Sequence, residues 1–182
     1  PVRGKPLLLP DGSLLCPSST EHDDDWRFHF ERLLDLKQPE LGTAWQRFEP
    51  VEQPFQVIQP TLLELADGHL QAMFRSKEER IIQAFSSDQG QTWTKLKASN
   101  LPNNNSGIEA LTLADGRHLL LYNHISGEGH EDGWGRRNML HLAISNDGLQ
   151  WKAAAIIEQE DSGEFSYPAM IQTTDGLVHL TY

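Results

Sequence analysis

The sequence holds a single cysteine, Cys16, in 182 residues. One thiol excludes an internal disulfide framework and any metal centre built on paired cysteines. Basic residues are also scarce: 15 Lys and Arg stand against 26 Asp and Glu, a formal net charge of −11. Nucleic-acid binders need a basic footprint, so that class is excluded. No apolar run approaches the roughly 18–20 residues of a membrane span, which excludes an integral helical segment. No basic stretch followed by an apolar one opens the chain, so no signal peptide is visible. The chain begins Pro1-Val2-Arg3 and reads as a fragment, which leaves its compartment open. The histidines at 118, 124, 130, 141 and 179 show no tight ligand spacing, so no metal and no cofactor is expected.

What the chain does have is repetition. Pro6-Leu7-Leu8-Leu9-Pro10-Asp11-Gly12-Ser13-Leu14 returns as Pro60-Thr61-Leu62-Leu63-Glu64-Leu65-Ala66-Asp67-Gly68-His69-Leu70. It returns again at Ile108 to Leu119 and at Pro168 to Leu180. The Asp-Gly pairs begin at 11, 67, 115 and 175, so the steps are 56, 48 and 60 residues. Asp-Gly between two apolar runs signals a hairpin, read here as a type I′ turn with φ > 0 at both central residues. Four hairpins about 50 residues apart suggest propeller blades.

A second phrase falls between the hairpins. Ser86-Ser87-Asp88-Gln89-Gly90-Gln91-Thr92-Trp93 has a shortened copy, Ser145-Asn146-Asp147-Gly148-Leu149-Gln150-Trp151, and a degenerate copy ends at Leu41-Gly42-Thr43-Ala44-Trp45. Physically it is another turn. Asp88 bonds local N–H groups, Gly90 takes the strained φ, and Trp93 folds back as an apolar plug. These residues read as structural rather than chemical.

Strand signals dominate elsewhere, as at Ile81 to Phe85 and His118 to Tyr122. The one helix-like stretch is Trp26 to Leu36, where strand and helix both remain open. Asn103-Asn104-Asn105-Ser106-Gly107 and Ser126 to Gly135 read as linkers, and Asn104-Asn105-Ser106 matches the glycosylation triplet. A closed propeller needs at least about four blades. Three full periods are too few to close, so residues 1–182 are expected to form one partial propeller domain of three to four blades, completed by further blades.

The order of these phrases resembles the sialidase (neuraminidase) superfamily, bacterial neuraminidase-like proteins with Asp-box (BNR) repeats. The resemblance covers nearly the whole chain. It implies an all-β fold, a β-propeller of sialidase type that is six-bladed in the family. It also implies an exo-acting glycoside hydrolase that removes a terminal acidic sugar from a glycan. In the family a catalytic Glu opens one blade, an Arg that binds the substrate carboxylate ends its hairpin, and an Asp box follows. Here Gln59 lies eight residues before Asp67 and Arg75 eight after it. Arg75 fits this pattern, whereas Gln59 replaces the carboxylate with an amide that cannot act as a base. Arg137-Asn138-Met139-Leu140 resembles the segment of the family's third arginine, with Arg136 an equal chemical candidate. Tyr167 lies eight residues before Asp175, where the family carries its nucleophile, although Pro168 stands where the family usually has Ser. The family's first arginine and its acid/base Asp are assigned to blades outside this chain.

The chemistry is coherent. A sialic acid carries its carboxylate on the carbon that becomes cationic, and forked guanidinium groups bind carboxylates bidentately. A neutral tyrosine avoids repelling that substrate, and sialidases are the known tyrosine exception among glycosidases. The candidate catalytic residues are therefore Tyr167 and Glu109, with Glu109 a compensating carboxylate at the start of the third hairpin. The candidate substrate-binding residues are Arg75, Arg137, Gln59 and Glu21. Glu31 and Glu164 are further acids in reach by sequence, with Glu164 and Tyr167 expected on opposite faces of a strand. His29 and Trp26 are candidates for a sugar subsite. Each residue also has a plain reading: surface ion pairs for the arginines, a strand aromatic for Tyr167, solvated acids for the glutamates and core packing for His29 and Trp26. Two other functions stay open, a propeller glycosidase or polysaccharide lyase of different sugar specificity, and a non-catalytic glycan-binding propeller.

Overall fold

The structure, a computed structural model, describes residues 3–23, 25–36, 44–49, 52–127 and 134–182. The degenerate Asp box falls partly outside them, as do His130 and the middle of the 126–135 linker.

The described residues form strands and turns, with no helix. The first sheet holds β1 (Leu7–Leu8), β2 (Leu14–His22), β3 (Asp25–Leu33) and β4 (Trp45–Phe48) in that order. The second holds β5 (Val57–Glu64), β6 (Leu70–Ser76), β7 (Arg80–Ser86) and β8 (Lys97–Pro102). The third holds β9 (Glu109–Thr112), β10 (His118–Tyr122), β11 (Met139–Ser145) and β12 (Trp151–Gln159), and β13 (Ala169–Gln172) pairs with β14 (Val178–Thr181). Each sheet is an antiparallel meander of sequence neighbours: three whole blades and half of a fourth. The ambiguous stretch from Trp26 is strand, because alternate residues Trp26, Phe28 and Phe30 bury their side chains in β3.

The four Asp-Gly turns are identical, but they are not the expected type. Gly12, Gly68, Gly116 and Gly176 have positive φ, whereas none of the four aspartates does. In each turn the glycine N–H bonds the carbonyl three residues back, as from Gly68 to Leu65 at 2.9 Å, and Leu65 N–H bonds His69 O at 2.8 Å. This is a three-residue loop, a type I turn closed by a left-handed glycine. The aspartate explains the choice. Its Oδ1 accepts the N–H two residues on, as from His69 at 3.0 Å and Arg117 at 3.1 Å, and so spans the turn from its own side.

The Asp boxes are built the same way. Ser86 Oγ accepts Gly90 N–H at 2.8 Å, Asp88 Oδ1 accepts Thr92 N–H at 2.8 Å, and Trp93 Nε1 donates to Gly90 O at 3.1 Å. The second box repeats the pattern through Ser145, Asp147 and Trp151. Each box rests on the preceding blade. A Cβ on Gly90, at φ 83°, would stand 2.6 Å from Leu15 Cδ2, and one on Gly148 would strike Gln71. Leu15 and Gln71 occupy the same place in their repeats, four residues after the hairpin Asp. Trp93 stacks on Phe30 with centroids 4.4 Å apart. Behind it Phe28, Phe74, Leu62 and Leu70 fill the space between the first two blades. Similar apolar clusters lie between the second and third blades and between the third and fourth.

Gly90→Ala should lose about 1–2 kcal/mol from the left-handed backbone alone, with the Leu15 clash added. Trp93→Ala should cost roughly 3 kcal/mol, near the low end for Trp truncation because the ring is half-buried. Denaturant titration measures both. An unchanged midpoint with an altered ligand preference would contradict the structural role.

Burial pulls the imidazoles of His118 and His141 below their ordinary 6.5. Unfolding then takes up protons, so the stability these neutral rings carry is present above about pH 6.5 and lost as pH falls through their folded values. His118→Asn should therefore show a shallower drop in melting temperature between about pH 7 and 5 than the parent chain. An identical slope would remove His118 from the acid limb.

Candidate functional site

Topology gathers the candidate residues before any side chain is considered. The Asp-Gly turns and the Asp boxes share one end of the sheets. At the opposite end β5, β9 and β13 begin and β2, β6 and β10 finish. Gln59, Glu109, Tyr167, Glu21 and Arg75 belong to this second end, with Trp26 just after the β2–β3 turn.

Arg75 faces Ile58 across the β5–β6 ladder, which slips register between Ile58 and Thr61. The slip has a local cause. Pro60 has no N–H to donate, and Gln59 before it takes φ 51°. The freed Gln59 N–H turns to Ser19 Oγ of the first blade at 3.3 Å. Tyr167-Pro168 repeats the arrangement, with Tyr167 at φ 55°. Tyr167 and Gln59 thus share a backbone conformation as well as a place in their repeats.

The side chains then meet. Arg75 is 2% exposed. Its Nε donates to Asn105 Oδ1 at 3.0 Å and its Nη1 to Gln59 Oε1 at 3.2 Å, and Tyr167 is near enough to act on its charge. The rings of Trp26 and Trp134 flank its guanidinium at 5.4 and 5.1 Å. Arg137 donates to Glu164 Oε1 at 2.9 Å and to Asn105 O at 3.3 Å, and lies 5.0 Å from the same Trp134 ring. Asn105 and Trp134 therefore tie the two arginines together. Arg136 is exposed, and its carbonyl accepts from Asn104 Nδ2 at 2.7 Å. Burial pulls the Arg75 guanidinium below its ordinary value, with nearby Tyr167 opposing that shift and the Arg137 charge adding to it.

Arg3 also joins the group. Its guanidinium donates to the carbonyls of Ile108 and Pro168 and lies 5.7 Å from the centre of the Tyr167 ring. Sequence reasoning passed over it, although it lies eight residues before Asp11, the slot held by Gln59 and Tyr167 in their own repeats.

The remaining acids divide. Glu109 is buried and forms an ion pair with Lys5, and it shares the field of Arg3 with Tyr167. Burial pushes its carboxyl up, with Lys5 pulling the other way. Glu21 is exposed and acts on Arg75 only at longer range. Glu31 sits 3.5 Å from His29 in the first sheet, away from the arginines, and buried His29 belongs to that sheet rather than to the cluster. Trp26 does both jobs, being buried while covering Arg75 and Lys77. Glu164 and Tyr167 do not straddle a strand, since both lie in the connection before β13.

Residues 103–106 lie in the connection from β8 to β9, as a linker should, but they are enclosed: Asn103, Asn104, Asn105 and Ser106 are all buried. Asn103 Oδ1 accepts Ser76 N–H at 3.2 Å, and Ser106 Oγ reaches Asn123 Oδ1 at 2.6 Å. Asn123 Nδ2 in turn bonds Phe165 O at 3.0 Å. Short amides satisfy buried backbone groups at this crossing between blades, which composition alone cannot distinguish from a surface loop. Asn104, buried in this knot, is closed to a glycan in the folded chain.

Antiparallel four-stranded blades, Asp boxes at one end and a cationic cluster at the other define a β-propeller of the sialidase type, partly present here. The BNR repeat-like domain family matches residues 1–180, and the chain belongs to that family. No curated protein matches the chain. Among solved structures it is similar to a point mutant of the NanB sialidase from Streptococcus pneumoniae, with 16% identity and a TM-score of 0.70 over 97% of this chain and 26% of that one. A protein of unknown function from Dyadobacter fermentans matches at 19% identity and a TM-score of 0.67, over 94% of this chain and 46% of that one. A mutant of Trypanosoma rangeli sialidase displaying trans-sialidase activity matches at 20% identity and a TM-score of 0.68, over 95% and 27%. The chain therefore spans about a quarter to somewhat under half of these structures.

Glu164 is 59% exposed at its side chain, so it occupies Arg137 without burying the pair. Glu164→Gln should strengthen binding of a carboxylate ligand by a few-fold, since exposed pairs are worth about 0.2–1 kcal/mol. Calorimetric titration of the variant measures this, and weaker binding would show that Glu164 orients Arg137 rather than competing for it.

Proposed function

We propose that the whole protein carrying this chain is a sialidase-like exo-glycoside hydrolase that removes a terminal acidic sugar from glycans. The observation that carries this reading is Arg75, a buried cation beside an exposed tyrosine, with Arg137 and Arg3 close by. In this reading the arginines bind the sugar carboxylate, Tyr167 is the nucleophile, and Glu109 is our candidate for the group that takes the hydroxyl proton. Gln59 and Glu21 line the pocket. Residues 1–182 form a single partial propeller domain whose neighbours are the remaining blades. Forked donors suit a carboxylate, and they concentrate positive charge locally in a chain of net charge −11.

One feature favours a second reading. Gln59 stands where a carboxylate would activate Tyr167, and Glu109 has Lys5 as its partner. A glycan-binding propeller without turnover, or an enzyme acting on another acidic sugar by glycoside hydrolysis or lyase chemistry, keeps the arginines and dispenses with that carboxylate.

The test is the full-length protein against fluorogenic sialosides, uronides and neutral glycosides. Hydrolysis of sialosides alone supports the first reading. Turnover of uronides, or binding without turnover, supports the second. Preference for neutral glycosides sinks both. Arg137→Ala should weaken binding of the acidic sugar by about 1.5–3 kcal/mol, the worth of a charge-assisted hydrogen bond. Tyr167→Phe should bind nearly normally and lose turnover, because only the hydroxyl is removed. Undiminished turnover by Tyr167→Phe would remove Tyr167 as nucleophile.

A further inference from the structure

We propose that His124 and His141 are the ligands of a second site, which binds a borderline transition-metal dication such as zinc between the end of β10 and the start of β11. The site stands apart from the arginine cluster and from the sugar chemistry proposed above.

No ligand spacing in the sequence announces this pair, since seventeen residues separate the two histidines. Strand pairing brings them together. His141 lies directly opposite Tyr122 in the β10–β11 ladder, and His124 follows two residues after Tyr122. The two imidazoles meet edge to face with centroids 5.8 Å apart. Two rings that share a zinc at about 2.0–2.1 Å stand roughly 5–6 Å apart at their centres, so the pair is already near ligating distance.

The backbone is shaped around His141. The β11–β12 ladder slips register on both sides of it, between Leu140 and His141 and between Leu142 and Ala143. Irregularities of this kind re-aim a side chain and gather beside functional sites. Nδ1 of His141 is buried with no hydrogen-bond partner among the described residues. An orphaned buried nitrogen calls for an explanation, and a cation supplies one. Burial also pulls this imidazole below its ordinary 6.5, with the charge of His124 adding to the shift, so the ring is neutral and offers its lone pair at pH 7.

His124 is oriented by its neighbour. Its Nδ1 and the Tyr122 hydroxyl are hydrogen-bonded, and the two rings meet edge to face at 5.4 Å. With the proton on Nδ1 and the phenol oxygen accepting it, His124 presents Nε2 as a lone pair. Burial pushes the Tyr122 hydroxyl up to about 12, so it stays a phenol and orients the ligand rather than becoming one. A cavity of about 110 Å³ adjoins the rings, with Leu101, Trp151 and Lys152 in its lining, and it has room for an ion with its waters. No carboxylate lines it, which disfavours calcium and magnesium. Lys152 is exposed and can hold its amine in water, and exposed His124 gives the ion a way in.

The probe is zinc chloride, added to the whole protein without a histidine tag after dialysis against a chelator, and followed by calorimetry and melting temperature. A first equivalent of zinc should bind and raise the melting temperature, as any ligand of the native state does. Removing an orienting partner typically costs roughly 10–100-fold, so Tyr122→Phe should weaken that equivalent about tenfold, and His124→Asn or His141→Asn by more. The zinc-induced rise in melting temperature should vanish in both histidine variants, a readout that holds even where a variant starts less stable. Calcium chloride should not compete. Unchanged zinc affinity in the double variant His124→Asn, His141→Asn overturns the proposal, as does a parent protein that binds no zinc at millimolar concentration or binds calcium equally well.

Discussion

The joints between the first three blades each rest on a contact that only glycine permits. At 90 and 148 the Asp box lays its backbone against the second strand of the blade before it, with Leu15 and Gln71 filling the space a side chain would need. That contact fixes the gap between sheets, and Trp93 and Trp151 then close it from the outer side. Everything at the far end inherits the spacing. Gln59 and Arg75 come from the second blade, Asn105 from the crossing to the third, Arg137 from within the third and Tyr167 from the start of the fourth. They meet because equivalent glycine contacts at the opposite end set the first three sheets against one another, and an apolar cluster joins the fourth to the third. The site and the boxes are thus separate in chemistry and linked in geometry.

Electrostatics at the meeting point are local rather than global. The chain is strongly acidic, yet Arg3 and Arg75 lie beside one exposed tyrosine, Arg137 joins Arg75 through Asn105 and Trp134, and most of the hydrogen bonds the three make go to amide or backbone carbonyl oxygens. Neutral acceptors orient a guanidinium without discharging it. Aromatic faces shield it from water while leaving its charge intact. The result is a positive field that an overall count of charges would not reveal.

The all-β architecture, the four hairpins and the structural role of the Asp boxes were legible in the sequence because each rests on local rules. Glycine takes left-handed φ, aspartate caps a turn, and alternation buries one face of a strand. Arg75, Gln59 and Tyr167 were legible through repeat position, since equal offsets from Asp67 and Asp175 imply equal places in a blade. The turn type was misread, because Asp-Gly serves both a two-residue and a three-residue loop and only the ladder register separates them. Arg3 was passed over although it shares the same offset, because the resemblance assigned the family's first arginine to blades outside this chain. The asparagine run was legible as a linker but its burial was not, because amides that satisfy buried backbone and amides that face water look alike in composition. Trp134 could not be placed, since its contacts with both arginines are non-local.

The buried asparagine knot has a consequence for the life of the chain before it is folded. Its triplet Asn104-Asn105-Ser106 matches a glycosylation acceptor pattern, yet the native state seats Asn104 between blades with no exposed surface. A sugar attached during synthesis in a secretory compartment would wedge open the joint between the second and third blades. The order of events during biogenesis, modification first or closure first, would then decide whether the arginine cluster forms at all.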